Sequence, residues 1–159
     1  MEKNTPLVIL LVAVVSLAAF WFYLDHQTQP SKNGFGIYLS QNNAQVISDA
    51  DVQYYNGTSH QITLTDACAE RMRNMKGLLQ GDFVVKIDGE EAYHGIFVPP
   101  IVSRTYPPTE AVIVFPTFSE SYSTMKIQMG YPWDQPTAQD PRNNTKILQH
   151  FEKSGRLTQ

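Results

Sequence analysis

The part of the chain richest in side chains able to do chemistry is FVVKIDGEEAYHGIF, residues 83–97. It holds three carboxylates, a lysine, a tyrosine and a histidine between apolar runs. His94 is a candidate general base, because the pKa of an ordinary histidine lies near neutrality. A catalytic site needs further reactive groups beside it, and the sequence shows no second cluster nearby.

The same segment has a structural explanation that starts from its Asp88-Gly89 pair. This pair favours a two-residue type I′ hairpin turn, because both turn positions require positive φ. With that turn Lys86 lies opposite Glu91, and Val84 lies opposite Tyr93. The acidic side chains are then solvated or paired groups of a turn, so we interpret the segment as structural.

Other catalytic and metal-binding patterns are missing from the sequence. The remaining histidines (His26, His60 and His150) lack the spacing of a metal site. The single cysteine, Cys68, excludes an intramolecular disulfide and a paired-cysteine zinc site. Cys68 also lies on the apolar stripe of a predicted helix, which favours a buried, inert thiol. We therefore predict no metal, no cofactor and no assignable catalytic residue.

Two aromatic loops are the best candidates for binding. One carries Arg104 and Tyr106 between two double prolines, and the other carries Tyr131 and Trp133 after a predicted strand. Rigid loops with exposed Tyr, Trp and Arg are typical of interface hot spots. The alternative is that the rings cover one end of a small core. The predicted binding residues are Tyr93, His94, Arg104, Tyr106, Tyr131 and Trp133.

The composition limits the classes of partner. The chain has 159 residues, 17% of them charged, and a net charge of −3. A mildly acidic protein without a basic run lacks the positive patch that releases counterions from nucleic acid. We therefore expect no nucleic-acid partner.

An N-terminal apolar segment is the strongest signal in the sequence. Residues 4–24 carry no charge, and a helix of that length spans about 30 Å, the thickness of a bilayer core. The apolar part runs from Leu7 to Leu24 and ends in the aromatic cluster FWFY, as interfacial belts do. Lys3 precedes it, so the positive-inside rule predicts a cytoplasmic N-terminus in a single-pass cell-membrane protein.

A cleaved signal peptide is the alternative, with Ser16-Leu17-Ala18 as its cleavage site. Both interpretations export the rest of the chain. The predicted organisation is an anchor over residues 1–26, a linker over 27–34 and an extracytoplasmic domain over 35–159. Two triplets, at Asn56 and Asn143, fit the N-glycosylation pattern and are weak signals.

Alternating and continuous apolar runs predict several strands. These cover residues 35–39, 60–65, 111–115 and 125–129, and the hairpin provides two more. Val46-Ile47-Ser48 indicates a strand end or a capped turn. Residues 99–108, PPIVSRTYPP, read as an extended loop stiffened by proline.

Two helices complete the predicted domain. Thr65 or Asp66 caps the first, and Gly77 can end it. Asp140-Pro141 opens the second, and Gly155 ends it. The apolar stripes are Cys68, Met72, Met75 and Leu79 in the first helix, and Ile147, Leu148 and Phe151 in the second. The predicted fold class is α+β, an antiparallel sheet with two helices on one face.

Part of the chain resembles a known family. The run IYLSQNNAQVISDADVQYYNGTSHQITLTDACAERM is similar to the periplasmic head of SecD-type translocase subunits, which implies a ferredoxin-like module without catalytic residues. The segments FVVKIDGEEAYHGIF, MKIQMGYPW and DPRNN resemble single-span prokaryotic proteins of unknown function. That resemblance implies an anchored, exported domain and assigns no residue roles.

The sequence thus favours a membrane-anchored, extracytoplasmic and non-catalytic binding or accessory module. Its expected partner is a protein in or near the membrane, an envelope component or a small ligand. The rival hypothesis is an extracytoplasmic, hydrolase-like enzyme whose site combines His94, Arg104 and an acid from a neighbouring loop.

Overall fold

The computed structural model describes residues 33–75, 81–99, 103–115 and 121–159. The predicted anchor and most of the predicted linker lie outside these ranges, as do Gly77 and Leu79 of the first helix. Within the described ranges no helix is long and apolar enough to cross a membrane.

The described residues form nine strands and two α-helices, which confirms the α+β class. The helices are α1 (Asp66–Met75) and α2 (Thr145–Lys153), and short 3-10 turns cover Asp49–Asp51 and Pro141–Asn143. The strands are β1 (Phe35–Leu39), β2 (Gln45–Ser48), β3 (Val52–Asn56), β4 (Gln61–Leu64), β5 (Gly81–Ile87), β6 (Glu90–Val98), β7 (Tyr106–Val114), β8 (Thr124–Tyr131) and β9 (Leu157–Thr158).

All nine strands join one mixed sheet in the order β2-β1-β5-β6-β7-β8-β4-β3-β9. The prediction of an antiparallel sheet is wrong for two strand pairs. β6 runs parallel to β7, and β3 runs parallel to β9. The alternation of apolar and polar side chains is the same in both directions, so this pattern does not reveal which way a strand runs.

The sheet curves around a large buried apolar cluster. Phe35 of β1 and Tyr55 of β3 lie at the second and eighth strand positions, yet their ring centroids are 6.4 Å apart. Phe151 of α2 lies against both rings, at 5.2 Å from Phe35 and 4.9 Å from Tyr55. Cys68 and Met72 of α1 belong to the same buried cluster. Both helices therefore contribute side chains to this cluster.

The predicted hairpin connects β5 and β6. Asp88 and Gly89 have φ values of 52° and 81°, both positive as the turn requires. Lys86 pairs with Glu91, with 3.6 Å between Lys86 Nζ and Glu91 Oε1. The turn and this pair are confirmed.

A register irregularity in the same hairpin overturns one predicted pair. It lies between Val85 and Lys86, and beyond it Tyr93 pairs with Val85 while Val84 pairs with His94. An extra residue on one strand changes which side chains lie opposite each other. Tyr93 consequently lies in the core, whereas His94 is exposed.

The structure confirms the predicted cap of the first helix and moves the start of the second. Thr65 Oγ1 accepts from Cys68 N at 3.3 Å, as the predicted cap of α1 should. Asp140 caps only the 3-10 turn, and α2 begins at Thr145 after Asn144, whose Oδ1 accepts from Lys146 N at 3.0 Å. The predicted start of the second helix at Asp140-Pro141 is therefore wrong by about one turn.

Candidate functional site

The structure brings three of the six predicted binding residues together. Tyr106 at the start of β7 pairs with Tyr131 at the end of β8, and Trp133 follows two residues later. We call Tyr106, Tyr131 and Trp133 the aromatic end. The two tyrosines are partly buried, whereas Trp133 is 71% exposed. β7 thus begins within the predicted loop of residues 99–108, whose last residues are in the sheet.

A glycine permits the close approach of the two strands at this end. Gly130 has a φ of 80°, and a Cβ there would lie 3.1 Å from the carbonyl oxygen of Tyr106. The left-handed backbone and the lack of space both favour glycine.

Asp134 stabilises the turn that leaves Trp133 exposed. Its Oδ1 accepts from Met129 N at 2.8 Å, and Gln135 N donates to Met129 O at 2.8 Å. Burial raises the pKa of Asp134. Hydrogen bonds from Lys126 and Met129 N, together with the charge of Arg142, lower it by more, so the pKa of Asp134 lies below its ordinary value. The carboxylate stays ionised and fixes the loop.

A buried polar network lies beneath the aromatic end. The Arg142 guanidinium donates to Asp140 Oδ2 at 2.6 Å and to the Ile127 carbonyl at 2.7 Å, and it also contacts Asp134. Arg142 and Asp140 side chains are only 1% and 2% exposed. The guanidinium therefore ties the 3-10 turn and the Asp134 loop to β8.

Tyr93, predicted as a binding residue, lies near this network and away from solvent. Its hydroxyl is buried and forms no hydrogen bond with any residue that the structure describes. Burial raises the pKa of Tyr93 well above its ordinary value, with the charges of Tyr55 and Asp140 acting in the same direction. Tyr55 OH lies 2.9 Å from His60 Nδ1, and burial lowers the pKa of His60. These groups are parts of the core.

The remaining two predicted residues, His94 and Arg104, are exposed and share no described contact. His94 Nε2 lies 3.4 Å from Glu91 Oε2, on the solvent side of β6. Arg104 is exposed just before β7, and within the described ranges it forms no ion pair. No hydrogen bond or ion pair between described residues joins His94, Arg104 and a loop acid into one site.

A different His–Arg–acid cluster exists, which sequence reasoning missed. His150 Nε2 lies 2.6 Å from Asp49 Oδ1, and Arg156 Nη2 contacts both Asp49 oxygens at 3.0 and 2.8 Å. Burial raises the pKa of Asp49, but the hydrogen bonds from Arg156, His150 and Phe35 N lower it overall. Asp49 and His150 are about a hundred residues apart in the chain, so no local spacing could reveal the cluster.

This cluster borders a shallow cleft between α2 and the hairpin. A carboxylate that orients an imidazole is one part of acid–base catalysis. No serine, threonine or cysteine is among the described cleft residues, so this arrangement has no hydroxyl or thiol nucleophile of its own. The cleft residues are Ile87, Asp88, Glu90, Lys146, Gln149, His150 and Lys153.

Metal chemistry has no candidate centre in the described ranges, where no three His, Cys, Asp or Glu side chains are grouped to hold an ion. Comparisons of the chain with protein families, curated proteins and solved structures find no match. A function for this protein is therefore inferred from the geometry of its own chain.

Proposed function

We propose that this protein is a membrane-anchored, extracytoplasmic and non-catalytic binding or accessory module. In this proposal residues 7–24 span the cell membrane once, with the N-terminus in the cytoplasm. The α+β domain then lies just outside the membrane, and the aromatic end contacts a protein partner in or near the bilayer.

The observation that carries the proposal is that the chain enters the domain at the same end of the sheet as the aromatic residues. Gly34 N donates to Asp88 Oδ1 at 2.8 Å, and Asp88 N donates back to Gly34 O at 3.0 Å. The first residue of β1, Phe35, pairs with Ile87, the last residue of β5. The chain therefore enters beside the β5–β6 turn.

The strand directions extend this relationship to the aromatic residues. β6 begins at Glu90 directly after the turn, and β7 runs parallel to it, so Tyr106 lies at the end of the sheet where β6 begins. Tyr131 pairs with Tyr106 at that end. A linker of eight residues reaches at most about 28 Å, which in this proposal limits how far the domain can lie from the membrane span.

The rival enzyme has less support. Its residues His94 and Arg104 are not joined in one described site, and the contacts of the Asp49–His150–Arg156 cluster are largely structural. Arg156 Nη1 donates to the Asp49 and Val52 carbonyls, at 2.7 and 3.0 Å, which ties the C-terminus to the start of β3.

The location of the domain can be tested with one engineered thiol. Cys68 is buried, so Gln159→Cys at the exposed C-terminus adds a single reactive thiol. We expect a membrane-impermeant maleimide to label this variant in intact cells, and carbonate washing to leave the protein in the membrane fraction. Labelling only after lysis, or release by carbonate, would contradict the proposed topology or anchor.

The partner can be tested with a photo-crosslinking amino acid at position 106. We expect one discrete adduct in intact cells, which weakens when Arg104→Ala is added. The matched control carries the crosslinker at Gln41, an exposed position in the β1–β2 loop at the opposite end of the sheet. Equal adducts at both positions, or none at position 106, would argue against a partner surface at the aromatic end.

A further inference from the structure

We propose that Trp133 inserts into the lipid headgroup region, so that residues 131–139 form a lipid-docking surface that orients the domain on the bilayer. We call these residues, YPWDQPTAQ, the tip loop. The inference rests on the proposed function, because it requires the domain to be anchored beside a membrane. It adds a second contact with the lipid, made by the domain itself.

The position of the tip loop is the first support for lipid docking. The loop follows β8 at the end of the sheet where the chain enters, and the strand β5 separates this end from the opposite one by about 20 Å. Under the proposed function this is the end where the linker joins the domain, and the β1–β2 loop lies at the opposite end.

The charge of the tip loop is the second support. Asp134 is its only charged residue, and the carboxylate is already paired with Lys126 at 2.7 Å and with Arg142 at 3.2 Å. Moving a free carboxylate toward lipid is costly, whereas a paired one directed at the protein adds little to that cost. The exposed side chains of the tip loop are Pro132, Trp133, Gln135, Pro136, Thr137, Ala138 and Gln139, and none is charged.

The nature of the exposed apolar surface is the third support. Tyr54 and Trp133 are the large hydrophobic residues that the described ranges expose, and Tyr54 lies on β3. One exposed indole supplies little of the roughly 800 Å² that each partner buries in a stable protein interface, so a partner that contacts Tyr106 does not by itself require Trp133. The indole does suit the membrane–water boundary, where Trp places its ring among the headgroups and its N–H in a polar layer.

The rigidity of the tip loop is the fourth support. The Asp134 and Gln135 hydrogen bonds to Met129 fix the loop backbone, and Tyr131 pairs with Tyr106. Trp133 is thus held outward before it meets any partner. The backbone beside Trp133 is therefore ordered before the indole inserts, so inserting the ring does not require ordering these hydrogen-bonded residues.

The full-length chain allows a direct test, because its only tryptophans are Trp21 and Trp133. Trp21→Phe leaves Trp133 as the sole indole. In vesicles of phosphatidylcholine brominated on its acyl chains near the headgroup, we expect Trp133 to lose most of its emission. In unbrominated vesicles the emission maximum of Trp133 should lie at a shorter wavelength than in the same protein unfolded in denaturant without detergent.

The matched control moves the indole to the other end of the sheet. The triple variant Trp21→Phe, Trp133→Phe, Gln41→Trp has one tryptophan at position 41, and we expect brominated lipid to leave its emission unchanged. Protection of Cys68 from a thiol reagent shows that each variant is folded, since that thiol is buried.

Each outcome decides between the two proposals. Strong quenching at position 133 but not at 41 supports lipid docking. Equal, weak quenching at both positions in a carbonate-resistant protein overturns lipid docking and leaves the anchor intact. Release by carbonate overturns the proposed function instead. An indole at 133 that resists both brominated lipid and aqueous iodide would be covered by protein, which also overturns lipid docking.

Discussion

Arg142 and Asp140 form a bidentate ion pair in the interior of the domain. Arg142 Nη2 donates to Asp140 Oδ2 at 2.6 Å, and Arg142 Nε donates to Asp140 Oδ1 at 2.9 Å. Burial opposes the charge on both groups, but the hydrogen bonds between them lower the pKa of Asp140 and raise that of Arg142. The pair matters for function because the same guanidinium contacts Asp134, whose turn displays Trp133.

Removal of this guanidinium should be strongly destabilising. We expect Arg142→Met to lower the free energy of unfolding by about 3–5 kcal/mol, because two carboxylates then lose their buried partner. The matched control, Arg73→Met, breaks an exposed pair with Glu70 and should cost less than about 1 kcal/mol. Urea unfolding of the detergent-solubilised chain measures both.

A double variant tests whether the cost comes from the unpaired charge. Asp140→Asn added to Arg142→Met should cost less than the sum of the single changes, since fewer charges are left unpaired. Strict additivity would contradict this account.

His60 should make stability fall in mildly acidic solution. Burial lowers the pKa of His60 below 6.5 in the folded chain, and the charge of Arg142 acts in the same direction. The unfolded chain therefore binds more protons as pH falls from about 6.5, and stability is lost in that range. We expect His60→Asn to remove this part of the slope, and asparagine tolerates the φ of 55° at this position.

The control for that measurement keeps the histidine. Tyr55→Phe removes the hydroxyl that lies 2.9 Å from His60 Nδ1 but leaves the imidazole buried, so the slope should persist. Urea midpoints at several pH values between 5 and 8 compare the variants with the parent chain. An unchanged slope in His60→Asn would show that His60 is not the group responsible.

Cys68 should be unreactive in the folded protein. Burial raises the pKa of its thiol to about 11, and the charge of Asp51 adds to the effect. Only the thiolate is nucleophilic, so we expect a disulfide reagent at pH 8 to react slowly with the native chain and rapidly in urea. Gln159→Cys provides the fast-reacting comparison. Rapid labelling of Cys68 in the native protein would mean that α1 opens readily.

Gly95 should be intolerant of any side chain. A Cβ there would lie 2.3 Å from the Phe83 ring and 2.5 Å from the Ala111 carbonyl oxygen, and that backbone atom cannot easily move. We expect Gly95→Ala to destabilise by about 1–3 kcal/mol or more through overpacking. Gly57→Ala is the control, because its Cβ would meet the flexible end of Leu157 at 3.3 Å. Equal thermal shifts in the two variants would contradict this crowding around Gly95.

Features that depend on neighbouring residues could be predicted from the sequence. The Asp88-Gly89 turn, strand β1 and the Thr65 cap are confirmed because each is specified within a few residues by φ preference, side-chain alternation or a cap hydrogen bond. The predicted start of α2 is wrong because Asp140-Pro141 and Asn144 are both good helix openers, and tertiary contacts of Arg142 commit the first of them to a 3-10 turn.

The candidate site was only partly predictable. The residue types of Tyr106, Tyr131 and Trp133 indicate a binding surface, but sequence reasoning placed Tyr93 in the same set. The register irregularity at Val85 is what puts Tyr93 in the core, and such an extra residue leaves no clear mark in the pattern of apolar positions.

The sequence by itself determined the local elements, the α+β class and the apolar segment that suggests an anchor. Only the tertiary structure decided which strands run parallel and how the sheet curves, and only it brought Asp49, His150 and Arg156 together. These features arise from contacts between residues far apart in the chain, where many pairings satisfy the same local preferences and the packing of one common core selects among them. The same packing placed Gly34 and Trp133 at one end of the sheet, on which both functional proposals rest.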